Sequence, residues 1–439
     1  MEISREEIIK KVADAGVVGC GGAGFPTHVK IAADADFVIA NGAECEPLLK
    51  GDQYLMETKA AEIVRGMRYV MKTSGASQGY IGLKKKYHRQ IEALNKALAP
   101  GIKIFEMGNV YPAGDEHVMV NEITGRIVPE AGIPINVGCI VDNVGTLVNI
   151  CEAVEKGRPV TRKNVTVTGD VENPVIVRCA VGACVSDIVK LAKPRKQHYT
   201  LLNGGPMMGD IINDDFCVTK TTGAILVLPS DSSLVAKKTR TATVAMRRAK
   251  SICEQCMDCT LVCPRNLLGH RIFPHKIMRM NFFASGEFNE ISSGSFLCSQ
   301  CGLCEVACPQ DLSPKRVFRD VKENLVKKGH KNMHTSSQLS VHSERALRQF
   351  PAQRLLQRIG LAEFDKPVSF HPEELAPAKV KIALCQNVGS APLPVVKAGS
   401  EVKEGELIAK APEKALSANL HASIPGTVVK IDEKYIYIA

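Results

Sequence analysis

The chain has 439 residues, 45% of them apolar, with no Trp and only 5% aromatic residues. That length suits about three domains, and so few rings exclude a large stacking surface for sugars or bases. The net charge of +10 is spread out, with short clusters at Lys84-Lys85-Lys86 and Arg247-Arg248, so a nucleic-acid partner is not expected, whereas nucleotide cofactors and acidic proteins are permitted.

The N-terminus, Met1 to Glu7, is charged and lacks the apolar core of a secretory signal. No apolar run nears the ~18 residues of a transmembrane segment, so a soluble, cytoplasmic protein is expected. Residues 4–15 pattern as an amphipathic helix with Ile8, Ile9, Val12 and Ala13 on one face. We read it as a packed element rather than a targeting tag. A glycine-rich loop follows at 19–24, then a helix opened by Pro26 and a buried strand, Phe37-Val38-Ile39-Ala40. Helix and strand then alternate: helix 54–74, strand 79–83, helix 87–98, strand 102–106, a turn-rich stretch, and a helix from 145. This predicts an α/β domain over 1–160.

The period-two segment Val165 to Gly169, the Asn173-Pro174 turn, Val175-Ile176-Val177, a helix at 185–192 and Ala224 to Leu228 predict an α+β unit over 161–235. Residues 236–335 hold cysteine runs among helical segments, and 336–372 read as a polar connector with one helical piece at 344–360. The remainder, 373–439, has short strands punctuated by Gly399, Gly405 and Gly426, an all-β module.

Eight of the sixteen cysteines lie within 253–308. A secreted disulfide scaffold would spread them through a short chain. Cys253, Cys256, Cys259 and Cys263 before Pro264 form C-x2-C-x2-C-x3-C-P, and Cys298, Cys301, Cys304 and Cys308 before Pro309 repeat it. Two-residue gaps let one tight loop offer three corners of a cubane, and in two-cluster ferredoxins the fourth cysteine of each run serves the other cluster. Two 4Fe–4S clusters are therefore expected, one on Cys253, Cys256, Cys259 and Cys308, the other on Cys298, Cys301, Cys304 and Cys263. Structural zinc favours two separated ligand pairs and is rejected. The other eight cysteines read as buried free thiols.

Gly19-Cys20-Gly21-Gly22-Ala23-Gly24 formally satisfies G-x-G-x-x-G. A Rossmann fingerprint needs a strand before it; here a helix precedes it, and that reading is rejected. What survives is an anion cradle of exposed backbone N–H groups leading into a helix.

Four stretches carry a family resemblance: Gly21 to Thr27 with Lys30; Asn41-Gly42-Ala43-Glu44-Cys45-Glu46-Pro47; Tyr111 to Glu116 with Gly125-Arg126; and Asp142 to Leu147. Their order resembles the flavin-binding subunit of respiratory complex I and the C subunit of the Rnf ferredoxin–NAD oxidoreductase. Residues 163–228 are similar to the β-grasp (SLBB) module of those proteins, and the tail around Cys385 to Gly389 and His421 to Thr427 to the Rnf barrel-sandwich. That module comes last here, an order similar to the cobalamin reductases of propanediol-utilisation microcompartments, as is Asn203-Gly204-Gly205-Pro206-Met207-Met208-Gly209.

The resemblance implies a multidomain α/β and α+β fold: a flavin domain, a β-grasp module, an α-helical dicluster ferredoxin domain and a barrel-sandwich. It implies FMN along the loop of Gly19, Gly21, Gly22 and Gly24, with Lys30 near the flavin phosphate and Asn41, Glu44, Asn143 and Thr146 hydrogen-bonding the flavin. Phe25 would stack on NADH, and Glu46 and Glu116 would stand near its nicotinamide or ribose as catalytic residues. Cys20 stands where complex I has Arg, and Asp115 where it has Glu. The implied activity is an NADH-dependent oxidoreductase passing single electrons through FMN and both clusters to cobalamin. Implied partners are a cobalamin-handling enzyme such as an adenosyltransferase, and shell proteins of a bacterial microcompartment housing the protein. The alternative is an Rnf C-like electron-transfer subunit exchanging electrons between NADH and ferredoxin or another redox partner. His421 reads as structural, and the tail lacks the Met-Lys pair of lipoyl-type domains, so no covalent cofactor is expected there.

Overall fold

The computed structural model describes residues 3–283, 288–375 and 377–439. Its first sheet is wholly parallel, in the order Ile102–Met107, Gln78–Lys84, Phe37–Asn41, Cys139–Asn143. These strands are short apolar runs because helices cover them. Met67, Val70, Ile63 and Leu147 bury themselves against Val38, Ile81 and Ile140 in one core. Helices Ala60–Ser74 and Val144–Lys156 approach so closely that a methyl at Gly66 would overlap the Leu147 carbonyl. The region read as one helix over 54–74 is two, Gly51–Thr58 and Ala60–Ser74, separated where Lys59 leaves helical geometry. The turn-rich stretch contains a helix, Glu116–Thr124, and the strand Cys139–Asn143.

In this sheet the three strands before residue 107 run outward in reverse chain order, and the fourth returns to the other side of the first. The order therefore reverses between Phe37–Asn41 and Cys139–Asn143. At such a switch point the connections leave in opposite directions and open a crevice at the strands' carboxyl ends. Asn41 and Asn143 are the paired last residues there.

The second sheet is mixed and six-stranded: Ser369–Phe370, Val175–Ala180, Arg162–Gly169, Ala224–Pro229, Tyr199–Asn203, Asp210–Ile212. Val165, Val167, Val177, Ile225 and Val227 share one core with Ile188 and Val189 of helix Val185–Ala192. Its first strand comes from the stretch read as a connector. That stretch also pairs Phe350–Pro351 with Val110–Tyr111 of the first domain and buries Leu355. Residues 344–360 are only partly helical, with Ala352–Arg358 the one α-helix.

Short helices hold both cysteine runs, packed on Phe318 and Val317 of Pro314–Lys327. The tail forms two small antiparallel sheets around Ile382, Ile408, Leu420, Val428 and Ile436. It is tied to the first two modules through Lys220, whose buried Nζ donates to the Gly16 carbonyl at 2.6 Å and the Asn419 carbonyl at 2.7 Å. His421 is buried in a tail strand. Among the described residues, no helix is long and apolar enough to cross a membrane.

Candidate functional site: a cavity that meets the cysteine runs

The crevice opens into a cavity of about 1290 Å³. One wall is the loop Cys20-Gly21-Gly22-Ala23, and the floor is the pair of strand ends Asn41 and Asn143. The loop is closed by the Gly19 N–H donating to the Phe25 carbonyl at 3.0 Å, and pinned by the Cys20 N–H donating to the Thr146 hydroxyl at 2.9 Å. Gly21, Gly22 and Ala23 are exposed, and their N–H groups have no acceptor among the described residues. A Cβ on Gly21 would stand 3.2 Å from the Asn143 Cβ, so a side chain there would crowd the cradle. Asn143 also caps the Val144–Lys156 helix by accepting from the Gly145 N–H at 2.8 Å, and that helix points its positive end at the same space. Free N–H donors beside a helix N-terminus fit the phosphate of a nucleotide cofactor.

The opposite wall is acidic. Glu44, left-handed at φ 35°, accepts the Asp52 and Gln53 N–H groups at 2.8 and 3.3 Å, capping helix Gly51–Thr58. Asp52 accepts from the Asn143 amide at 2.8 Å. Burial and then the neighbouring Glu44 push the Asp52 carboxyl up to about 7. Glu46 accepts the Met207 and Met208 N–H groups at 3.0 and 2.7 Å, fastening the Asn203–Gly209 loop to the first domain. Gly205 must lack a side chain because any Cβ would overlap this carboxylate. Tyr54 and Phe370 stack at 4.5 Å with their rings nearly parallel, and both line the cavity.

Of the residues singled out from sequence, Gly21, Gly22, Asn41, Glu44, Glu46 and Asn143 line this cavity. Gly19, Gly24, Phe25, Lys30, Thr146 and Glu116 do not. Gly24, at φ 70°, is pressed against Thr221 and the Gln386 carbonyl, where it lets the second and last modules close on the loop. Lys30 donates to the Val141 carbonyl at 2.7 Å and faces Asp142 at 3.3 Å and Glu116 at 4.0 Å. Asp115, noted from the sequence where complex I has Glu, lines the cavity as well, and so do Asp52, Tyr54 and Phe370, which were not singled out from the sequence.

The cysteine runs share a backbone. Gln255 and Gln300, two residues past each first cysteine, are both left-handed, as are Met257 and Gly302, one past each second cysteine. Gln255 and Gln300 turn their side-chain amides onto the Cys253 and Cys298 sulfurs at 3.2 and 3.3 Å. The fourth cysteine crosses over. Burial first, and then the proximity of Cys308, Cys256 and Cys253, pushes the Cys259 thiol up to about 12. Burial likewise pushes Cys263 up to about 12, with Cys298 beside it, and raises Cys301, which neighbours both Cys263 and Cys298. Cys304 neighbours Cys298, Cys301 and, across the gap, Cys259. No group of three or more His, Cys, Asp or Glu side chains among the described residues is gathered tightly enough for a single metal ion. Four thiolates around a cubane stand farther apart than four around one ion.

The cavity and the runs are joined. Cys301 lines the cavity, and its carbonyl accepts the buried Tyr111 hydroxyl at 2.6 Å. Arg265, two residues past Cys263, pairs at 3.1 Å with Asp115, which caps helix Glu116–Thr124 from the first domain. Burial alone would raise the Asp115 carboxyl; Arg265 leads the charges and donors that hold it below the usual range. Burial and the same guanidinium push His117 down to about 3 and His270 to about 4.

A nucleotide-sized cavity with a free N–H cradle, with Cys301 of a ferredoxin-type cysteine run in its lining, defines a flavin and iron–sulfur oxidoreductase. Residues 12–152 match the Nuo51 FMN-binding domain, 252–313 a 4Fe–4S dicluster domain, and 369–438 the RnfC barrel sandwich hybrid domain. The chain belongs to the cobalamin reductase PduS family. It is 40% identical over 442 residues to the cobalamin reductase PduS of Salmonella typhimurium, covering 100% of this chain and 97% of that one. To the protein of that name from Citrobacter freundii it is 39% identical over 437 residues, covering 99% and 96%. The C component of the Na(+)-translocating ferredoxin:NAD(+) oxidoreductase complex of Acetobacterium woodii is 35% identical over 279 residues, 61% of this chain and 59% of that one.

Proposed function

We propose that this protein draws electrons from NADH and delivers them singly to cobalamin, reducing cob(III)alamin within a bacterial microcompartment. The observation that carries this reading is Cys301 in the wall of the glycine-loop cavity. FMN accepts hydride, which iron–sulfur clusters cannot, and releases single electrons, so the two cofactor types belong in series. The Gly21–Ala23 N–H groups and the helix at Val144 would hold the flavin phosphate, and Asn41 and Asn143 would orient the ring. Tyr54 and Phe370 offer an aromatic face to the dinucleotide. Asp52, poised near neutrality, can keep or give up a proton at the cavity wall. We read the mixed second sheet with its helix Val185–Ala192 as the β-grasp (SLBB) module.

Two 4Fe–4S clusters would be held by the crossed sets. The set Cys298, Cys301, Cys304 and Cys263 abuts the cavity and is the inner one. The set Cys253, Cys256, Cys259 and Cys308, with Cys256 exposed, is the outer one. Anaerobic purification should yield FMN on denaturation and a visible spectrum that NADH bleaches. Cob(III)alamin should reoxidise the reduced protein faster than ferredoxin does. Absence of FMN and of bleaching would sink the reading, and preference for ferredoxin would replace its acceptor.

A further inference from the structure

Along the second cysteine run, at Gly302, Glu305 and Val306, the surface sinks into a second cavity, of about 330 Å³, and Cys308, the member of the outer set carried on that run, stands in its wall. Its lining carries seven Lys or Arg side chains against three Asp or Glu. Asp311 is shared by Lys237 and Arg240, and Arg319 faces Asp210 at 3.6 Å. Three of the cations rest on backbone carbonyls instead. Lys238 donates to the Gly209 carbonyl at 2.5 Å, Lys315 to that of Met207 at 2.7 Å, and Arg358 to that of Val306 at 2.9 Å. Carbonyls fix these groups in place without cancelling their charge. Burial first, and then the nearby Lys315, push Lys238 down to about 8, outweighing the opposing pull of Glu46, Glu305 and Asp210.

We propose that this cavity is the docking site of an acidic electron-accepting protein, whose carboxylates seat against Lys238, Lys315 and Arg358 and bring its redox centre up to Cys308. The inference rests on reading the outer cysteine set as the exit of the relay. Each docking event moves one electron and makes or breaks no bond. The partner is reduced by one electron, the centre held at Cys308 is oxidised by one, and one NADH supplies two such events. The charge surplus is spread over the cavity, which suits several carboxylates on a protein surface better than one small anion. Complementary charge steers such encounters and makes them salt-sensitive.

The test uses oxidised holoprotein and two probes, an acidic plant-type 2Fe–2S ferredoxin and basic mitochondrial cytochrome c, with binding followed by titration calorimetry. The ferredoxin should bind at low salt and cytochrome c should not. K238Q/K315Q/R358Q should weaken ferredoxin binding about tenfold or more, while K238R/K315R/R358K restores it. NADH bleaching should be the same in all three proteins. Its absence from the wild type would count against the electron-donor reading while leaving the binding result to decide the docking site. Equal ferredoxin binding by wild type and the Gln variant would overturn the proposal. So would calorimetric binding of inorganic phosphate, lost in the Gln variant, with no binding of ferredoxin.

Discussion

The two cysteine runs have the same spacing and the same left-handed turns, yet they live in different surroundings. The second run is braced on every side: Tyr111 holds the Cys301 carbonyl, Met207 packs with Leu303, and the cavity of the first domain begins at Cys301. The first run begins at a half-buried Cys253 and passes through an exposed Cys256 and an exposed Met257. Spacing fixes what a run can ligate, whereas the neighbouring modules fix where it stands in a relay. A difference in burial, from Cys301 at the cavity to the exposed Cys256, distinguishes two sites that are equivalent in sequence.

The comparison can be broken in graded steps. The largest effect is expected from C301A, which should abolish cobalamin reduction while NADH still bleaches the flavin in a rapid-mixing experiment. Next is Arg265→Met, which leaves Asp115 buried without its cation and should cost about 3–5 kcal/mol in denaturant unfolding. The wild-type carboxyl is held low in the folded state, so its contribution is full above the unfolded value of about 3.9 and fades as pH falls through the folded one. The variant should lose that acid limb. Asp52 has the opposite sign. Its folded carboxyl sits near 7, so the native state binds the extra proton and stability declines as pH rises from about 4 towards 7. D52N should flatten that decline in thermal melts of the cofactor-free protein. Tyr111→Phe should cost about 1–3 kcal/mol, the penalty for leaving the Cys301 carbonyl unpaired. Smallest is the exchange of turn residues. Met257→Gly relieves a left-handed methionine and should gain up to about 1 kcal/mol, whereas Gly302→Ala at the matching turn should lose a similar amount.

The cysteine pattern was legible because a cubane imposes local spacing, and the glycine loop because exposed N–H groups need small residues. Helices such as Arg5–Asp14 and His88–Ala97 were legible from their apolar periodicity. The strand Cys139–Asn143 was not. Its run Cys139-Ile140-Val141 is buried on both faces and shows no alternation to separate it from the helix that follows. Asp52 was hidden by a helix start placed too late, and with it the proximity of Asp52 to Asn143. Phe370 belongs to a two-residue strand whose partner, Val175–Ile176, is far away in sequence, and no local signal marks such a pairing. Phe25 shows the converse. The resemblance points it at the dinucleotide, while its backbone closes the glycine loop and its side chain stands outside the cavity lining.

The order of the two cysteine sets is the central claim, and low-temperature EPR of NADH-reduced holoprotein tests it directly. In C256A one cluster signal should remain reducible by NADH, that of the inner set. In C301A the surviving outer cluster should respond to dithionite but not to NADH. An NADH-reducible cluster in C301A, together with none in C256A, would contradict the order proposed here.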